Sequence, residues 1–419
     1  MRILILSFSY PPIANARALR WGALAREWAR QGHEVAVVSA WLPGAPEVER
    51  IDGVAVHRAG LRLGELLRAR LAARRTSAVA SAGGKPASSL LHRVWRSIYW
   101  PDTSCLWFVP ALGRARSLMR EMRPDAVVSV SPMFTAVMVG LRLLAGSHPS
   151  PRWLIDLGDP FSFAEEAPPN NFRLYRRLNQ RMERAAFRRA DAVAVTTEET
   201  RARYTALFGA SAGKIEVIPP LIPIDCEPKQ EAPTDAICLV YVGTLYRSIR
   251  GPDFLLALFR RLLERPIGPR LQLHVYGDVQ DCRPSFERHA ELLGRKLFVH
   301  GAVPRPRALD ALQEASVLVN IGNRTAYQLP SKLVEYAALG KPILNIAAVP
   351  GDSSARFLAR YPRHLSLQES DEPSEEQLSR CERFLQDAAD RRLAPVPADW
   401  VAPYRLPGIS ARYLALLEQ

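Results

Sequence analysis

Short apolar strands and amphipathic helices alternate along this chain in two successive series, and that alternation limits the possible folds more than any other feature. Residues 3–6 read as a buried strand, and residues 17–31 carry Leu19, Ala23, Leu24 and Trp28 on one helical face. Gly32-His33-Glu34 turns into a strand at 35–38, and Asp52-Gly53 precedes another at 54–56. Further strands are predicted at 125–130, 153–156 and 192–196, with helices at 106–122 and 172–189 between them. A second series begins near residue 237, with strands at 238–242, 271–276, 297–300, 317–321 and 343–346 and a helix at 252–263. Repeated strand–helix units imply an α/β fold with parallel sheets covered on both faces. The proline-stiffened run Ile218-Pro219-Pro220-Leu221-Ile222-Pro223 and the polar stretch 227–235 have the chemistry of a linker. The expected layout is a doubly wound domain at 1–220, a linker at 221–236, a second doubly wound domain at 237–394, and a helical segment at 395–419 packing back toward the first. Two such domains are expected to face each other across a cleft, with ligands at the strand C-termini.

The chain has 419 residues and 48% hydrophobic content, enough for two ordinary cores. Its net charge of +14 is carried mostly by arginine and favours acidic partners: nucleotide diphosphates, lipid phosphates or an anionic membrane surface. The five cysteines are scattered and form no CxxC pair, so neither a zinc site nor a disulfide framework is indicated, and the compartment reads as reducing. The apolar start at 1–6 runs directly into Ser7, Tyr10, Pro11 and Pro12, which suits a buried strand rather than a signal peptide. No apolar run is long enough to span a bilayer. A cytoplasmic protein is expected, peripheral at the inner face of the plasma membrane.

The most informative local segment is Leu329-Pro330-Ser331-Lys332-Leu333-Val334-Glu335-Tyr336, continuing to Gly340-Lys341-Pro342-Ile343-Leu344. It reads as a turn, a short helix, a glycine stop and a buried strand, with Ser331 the expected N-cap. The start of such a helix offers unpaired backbone N–H groups and a positive dipole end, which suit a diphosphate. Lys332 adds a cation there, and Glu335, one turn on, can accept hydrogen bonds from two sugar hydroxyls. In an arbitrary helix, however, such a Glu serves only the dipole and such a Lys is solvated. A second strand-to-helix loop, opened by Gly243 and closed by Gly251, carries Arg247 and Arg250, and guanidinium groups there suit a diphosphate.

The run PSKLVEYAALGKPIL resembles the donor-nucleotide motif of GT-B glycosyltransferases, specifically the large retaining family 4. The resemblance continues in order through SFSYPP, LIDLGDP, ERAAFRRADAVAVTTEETRARY, KIEVIPP, YVGTLYRSIRGPDFLL and LFVHGAVPRPRALDALQEASVLVNI. It implies that Arg250 and Lys332 stabilise the leaving diphosphate and that Glu335 holds the ribose, with Gly243 and Ser331 among the donor-contacting residues. Where family members often carry a second Arg after the first glycine, this chain has Thr244, so that role passes to Arg247. The glutamate often found eight positions before the one matching Glu335 is Tyr327 here, with Gln328 as a substitute contact or Tyr327 as core packing. His300 matches the place where the family contacts the nucleotide base. The N-terminal loop, often Gly-rich, instead reads Ile13-Ala14-Asn15-Ala16-Arg17, making Asn15 and Arg17 the acceptor-side candidates. Asp156 and Asp159, in the run DLGDP, are either loop caps or a base near the acceptor. No Asp-x-Asp pair of the metal-holding kind is apparent, so no cofactor and metal-independent activity are expected.

Residues 61–75 form a basic amphipathic stretch, followed by Trp95, Tyr99 and Trp100 with Arg93 and Arg96 between, a composition suited to a membrane interface. The expected function is transfer of a sugar from an NDP-sugar to a lipid-linked or polysaccharide acceptor in exopolysaccharide or O-antigen assembly. The alternatives are a sugar-nucleotide epimerase of the same fold, a non-catalytic scaffold, or a basic binding protein. No nucleic-acid motif is recognisable.

Overall fold

The computed structural model describes residues 1–13, 15–60, 95, 97–146, 150–165, 168–222, 235–397 and 399–418. They form two compact units. Unit 1 comprises Met1–Pro219 together with Ile409–Gln419, and unit 2 comprises Pro220–Gly408.

Unit 1 is built on eight strands: β1 (Arg2–Ser7), β2 (Glu34–Ala40), β3 (Val48–Ile51), β4 (Val54–Ala59), β5 (Ala126–Val130), β6 (Arg152–Leu157), β7 (Ala192–Val195) and β8 (Ile215–Val217). Their order in the sheet is β3-β4-β2-β1-β5-β6-β7-β8. All neighbours run parallel except β3, which pairs antiparallel with β4 at the edge. The described helices are α1 (Ala16–Arg30), α2 (Phe108–Met122), α3 (Phe134–Leu143), α4 (Phe172–Arg189) and α5 (Glu198–Phe208). Central strands such as Ile3-Leu4-Ile5-Leu6 are wholly buried because helices cover both faces of a parallel sheet. The sheet order reverses between β1 and β5, so the strand ends there form the crevice in which such folds bind ligands.

Unit 2 has six parallel strands: β9 (Ile237–Val242), β10 (Leu271–Tyr276), β11 (Leu297–Gly301), β12 (Val317–Ile321), β13 (Ile343–Ala347) and β14 (His364–Gln368). Their order is β11-β10-β9-β12-β13-β14, with the reversal between β9 and β12. Its helices are α6 (Asp253–Leu263), α7 (Arg283–Glu287), α8 (Arg305–Glu314), α9 (Ser331–Ala338), α10 (Ser353–Leu358) and α11 (Glu375–Ala389). One face of the sheet packs Phe254, Leu258 and Leu262 of α6 with Leu378 and Leu385 of α11. The other packs Leu312 of α8 with Leu333, Val334 and Tyr336 of α9.

A final helix, α12 (Leu406–Glu418), contributes Ile409, Tyr413 and Leu417 to the buried set. Residues 400–404 belong to unit 2, where Trp400 and Tyr404 pack beside Phe357 and Tyr361. Of the 395–419 segment expected to pack back toward the first domain, Ile409–Gln419 belongs to unit 1 and the part up to Gly408 to unit 2.

The inward face of α1 differs from the expected one. Ala18, Trp21, Leu24, Ala25 and Trp28 are buried, while Leu19 is 50% exposed. The two tryptophans dictate this phase, because seven residues bring them to one side of the helix, where their rings meet edge to face at 5.8 Å. Strand β14, helix α11 and the β3 edge were not anticipated from the sequence.

Candidate functional site

In unit 2 the backbone narrows where β9 and β10 end. Gly243 has φ of +144° and Gly277 of +127°, and the Gly243 N–H donates to the Tyr276 carbonyl at 2.8 Å. A Cβ on Gly277 would lie 2.3 Å from the Gly243 carbonyl oxygen. Only glycine permits both the backbone angle and the approach. The loop beyond Gly243 is pinned by Leu245, whose N–H bonds the Asp278 carbonyl at 2.9 Å, and by the Tyr246–Arg250 bridge.

Helix α9 starts beside this narrow point. Its N-cap is Pro330, not the expected Ser331, and no side chain caps its first turn. Proline at that position already sets an extended entering backbone, which leaves Ser331 as the exposed first helical residue. Tyr336, one turn further on, accepts from the Val242 N–H at 3.0 Å and donates to the Val242 carbonyl at 3.2 Å, which ties the helix to the end of β9. Lys332 reaches over the same strand end. Its Nζ lies 3.8 Å from the Tyr241 ring centroid and 3.4 Å from the Val242 carbonyl oxygen. Burial, and then the positive charge of Arg250, push the Lys332 ammonium well below its ordinary pKa. The Arg250 Nε is itself buried with no hydrogen-bond partner. Two cations thus converge at the first glycine of the loop, beside an uncapped helix start. Such an arrangement is suited to a compact, multiply charged anion.

The other unit 2 candidates are placed as follows. Glu335 is buried and its Oε1 lies 2.6 Å from Arg305 Nη2 of α8. Sequence reasoning missed Arg305. The available signal was a cation at a helix N-terminus, where the dipole disfavours it and a nearby carboxylate is needed. The Arg247 N–H bonds Asp281 Oδ1 at 3.0 Å and its Nη2 bonds Ser285 Oγ at 3.3 Å, so it braces the neighbouring turn and α7. Tyr327 is buried, and Gln328 is held by Thr325 Oγ1 at 3.3 Å and, through its carbonyl, by Ser353 Oγ at 2.6 Å. His300 stacks on Tyr276 with centroids 4.1 Å apart, and its Nε2 lies 3.1 Å from His274 Nδ1. Burial, then Arg307, hold the His300 imidazole below its ordinary pKa.

In unit 1, the candidates Asn15, Arg17 and Asp156 are engaged within the fold. Asn15 caps α1, its Oδ1 accepting from the Ala18 N–H at 2.8 Å. Asp156 is fully buried, with Oδ2 accepting from Arg17 Nη1 at 2.6 Å and Trp21 Nε1 at 2.8 Å and Oδ1 accepting from the Tyr413 hydroxyl at 2.7 Å. It is therefore a structural carboxylate rather than an available base, and it joins β6, α1 and α12. Arg17 lies across Gly158, where a Cβ would be 1.9 Å from its Nη2. Asp159 stays exposed on the loop beyond β6. A further carboxylate, Glu183 of α4, is buried. It accepts from the Phe161 and Ser162 N–H groups at 3.2 and 3.0 Å and from Tyr204 OH at 2.6 Å.

Two parallel doubly wound sheets, with a cationic cluster at the strand ends of the second, define a GT-B architecture. A sequence profile described as "Glycosyl transferase 4-like domain" matches residues 18–220, and one described as "Glycosyl transferases group 1" matches 236–356. The chain belongs to the group 1, or family 4, glycosyltransferases. It is 30% identical over 184 residues to a D-inositol 3-phosphate glycosyltransferase of Kribbella flavida, a match covering 40% of this chain and 42% of the relative. The chain thus spans about two fifths of the length of the curated relative it matches. Among solved structures, sucrose-phosphate synthase from Thermosynechococcus elongatus is similar with a TM-score of 0.68 at 16% identity, over 99% of this chain and 98% of that one. An Anabaena protein, HepE, solved in complex with UDP-glucose, gives a TM-score of 0.57 at 14% identity, over 100% and 99% of the two chains. WaaG, described as a glycosyltransferase involved in lipopolysaccharide biosynthesis, gives 0.58 at 15% identity, over 99% of each chain. At these identities the structural likenesses show the fold. No helix among the described residues is long and apolar enough to cross a membrane.

Proposed function

We propose that this chain transfers a sugar, with retention of anomeric configuration, from a nucleoside diphosphate sugar to a lipid-linked or polysaccharide acceptor in cell-surface glycan assembly. The observation that carries this reading is the convergence of Lys332 and Arg250 at Gly243, beside the uncapped start of α9. Breaking the glycosidic bond places negative charge on the departing diphosphate. Preorganised cations and backbone N–H groups stabilise that charge more than they stabilise the ground state. Glu335, oriented by Arg305, accepts from the ribose hydroxyls. The bound UDP-glucose of HepE supports a nucleotide sugar as donor, and the pathway of WaaG supports a surface glycan as product. Cationic side chains neutralise the diphosphate in this scheme, so turnover is expected to survive EDTA. Loss of activity with EDTA and its return with Mn²⁺ would contradict that part of the scheme.

The test is titration calorimetry with UDP, GDP and ADP, followed by incubation of the preferred nucleotide's sugars with glycan acceptors. One diphosphate should bind, and Lys332→Ala and Arg250→Ala should each weaken it by roughly tenfold or more, the scale of one lost charge-assisted hydrogen bond. Unaltered affinity in both variants would remove the site. Conversion of donor to an epimer without any acceptor would favour the isomerase alternative.

A further inference from the structure

We propose that the outward face of α4 (Phe172–Arg189) is a docking surface for an anionic phospholipid bilayer. The helix turns Asn179, Glu183, Ala186 and Phe187 inward. Its opposite side presents Arg173, Arg177, Arg181 and Arg188, all exposed. At 100° per residue these four fall within about 80° of one another, along about 22 Å of axis. Among the described residues none of the four joins an ion pair, and Glu183, the only acidic residue of the helix, is buried among its own donors. Other exposed arginines are paired with a carboxylate, such as Arg26 with Asp52 and Arg288 with Asp253. The arginine row on α4 is therefore a concentrated, uncompensated positive stripe.

Apolar side chains flank that stripe. Leu174 is 63% and Leu178 38% exposed, one helical turn apart along its edge. The segment before α2 is tied to the same side of the helix: Asn171 Nδ2 bonds the Ser97 carbonyl at 3.2 Å, and Tyr175 OH bonds the Ile98 carbonyl at 2.7 Å. This anchors Ile98, 55% exposed, to Tyr175, the neighbour of Leu174 in sequence. Arginines next to outward leucine and isoleucine match a lipid interface, where headgroup phosphates take the charge and the acyl boundary takes the apolar side chains. A nucleic acid backbone or an acidic peptide would satisfy only the arginines. Helix α4 begins at the edge of the sheet where the strands end, so a docked bilayer would bring lipid-borne molecules to the ligand-binding end of unit 1. That presentation rests on the transferase reading, whereas the docking itself does not.

The full chain is sedimented, without substrate, with vesicles of phosphatidylcholine alone and of equal parts phosphatidylcholine and phosphatidylglycerol. Binding is expected only to the anionic vesicles, weakening as salt rises. The variant Arg173→Glu, Arg177→Glu, Arg181→Glu should lose at least about a hundredfold in affinity, from about fivefold per arginine removed. Leu174→Ser with Leu178→Ser should lose affinity that salt does not restore. All five positions are exposed, so unchanged thermal melting is expected to confirm folding, and Arg→Gln replacements serve if the charge reversal misfolds. Vesicle affinity unchanged in the arginine variant would overturn the proposal. So would a leucine variant that binds both vesicles and a short RNA as the parent does, since this would mark a general polyanion surface. Normal vesicle binding with no nucleotide binding would leave the docking surface standing and remove the transferase site.

Discussion

Lys332 holds a cation where burial and Arg250 both oppose it, and this conflict has measurable consequences. A bound diphosphate relieves the conflict and raises the lysine's pKa toward its ordinary value. Nucleotide binding should therefore take up a proton at pH values between the lowered free-state pKa and 10.5, and affinity should fall as pH rises through that window. Calorimetry in buffers of different ionisation enthalpy measures this directly, and a proton count of zero across the window would contradict it. Lys332→Met should stabilise the nucleotide-free protein by about 1 kcal/mol in denaturant titrations while abolishing tight nucleotide binding, the usual exchange between stability and site strain. The helix start at 330–332 was legible in the sequence because its signals are local. The Tyr241 ring beneath the ammonium was not, since it reaches Lys332 only through the sheet. Asp156 was misread for the same reason: a strand-end carboxylate looks available until Trp21 and Tyr413, remote in sequence, are found to occupy it.

Between elements, the close contacts are set by backbone. Gly277→Ala places a Cβ 2.3 Å from the Gly243 carbonyl and should cost about 2–4 kcal/mol, read as a shift in the denaturation midpoint of unit 2. The loop after β6 depends instead on a side chain. Burial lifts Glu183 to a pKa of about 7, although three hydrogen bonds favour its ionised form. The unfolded carboxyl releases its proton near 4.5, so between about 4.5 and 7 the folded state holds the extra proton. Stability contributed by this group is then full below 4.5 and is lost as pH rises to 7. Glu183→Gln should flatten that slope in denaturant titrations at stepped pH, and an unchanged slope would show that the titration lies elsewhere. Strand–helix alternation was readable because period and glycine punctuation are local properties. The phase of α1 was not, since choosing Trp21 over Leu19 depends on which face meets α12.

For the whole molecule, the two-unit α/β architecture followed from the repeated pattern, and the family resemblance followed from motifs in a fixed order. What remained hidden was how completely α12 is built into unit 1. Arg20 Nη2 bonds the Tyr413 hydroxyl at 2.8 Å, Trp28 Nε1 bonds Ser410 Oγ at 3.0 Å, and Arg152 Nε bonds the Leu416 carbonyl at 2.5 Å. Deleting residues 409–418 would remove the Ser410 partner of Trp28, one of three partners of Asp156 and one of those of Arg20, and would uncover both tryptophans. Large buried side chains contribute about 1.5–3 kcal/mol each, so losing Ile409, Tyr413 and Leu417 together makes loss of the unit 1 unfolding transition the expected result in calorimetry. Unit 1 is thus discontinuous in sequence, closed by a helix that follows unit 2. On the ribosome its sheet must wait, with Trp21 and Trp28 uncovered, until all of unit 2 has emerged. The nascent chain therefore completes its second unit before its first, and during that interval it is most exposed to chaperones and to aggregation.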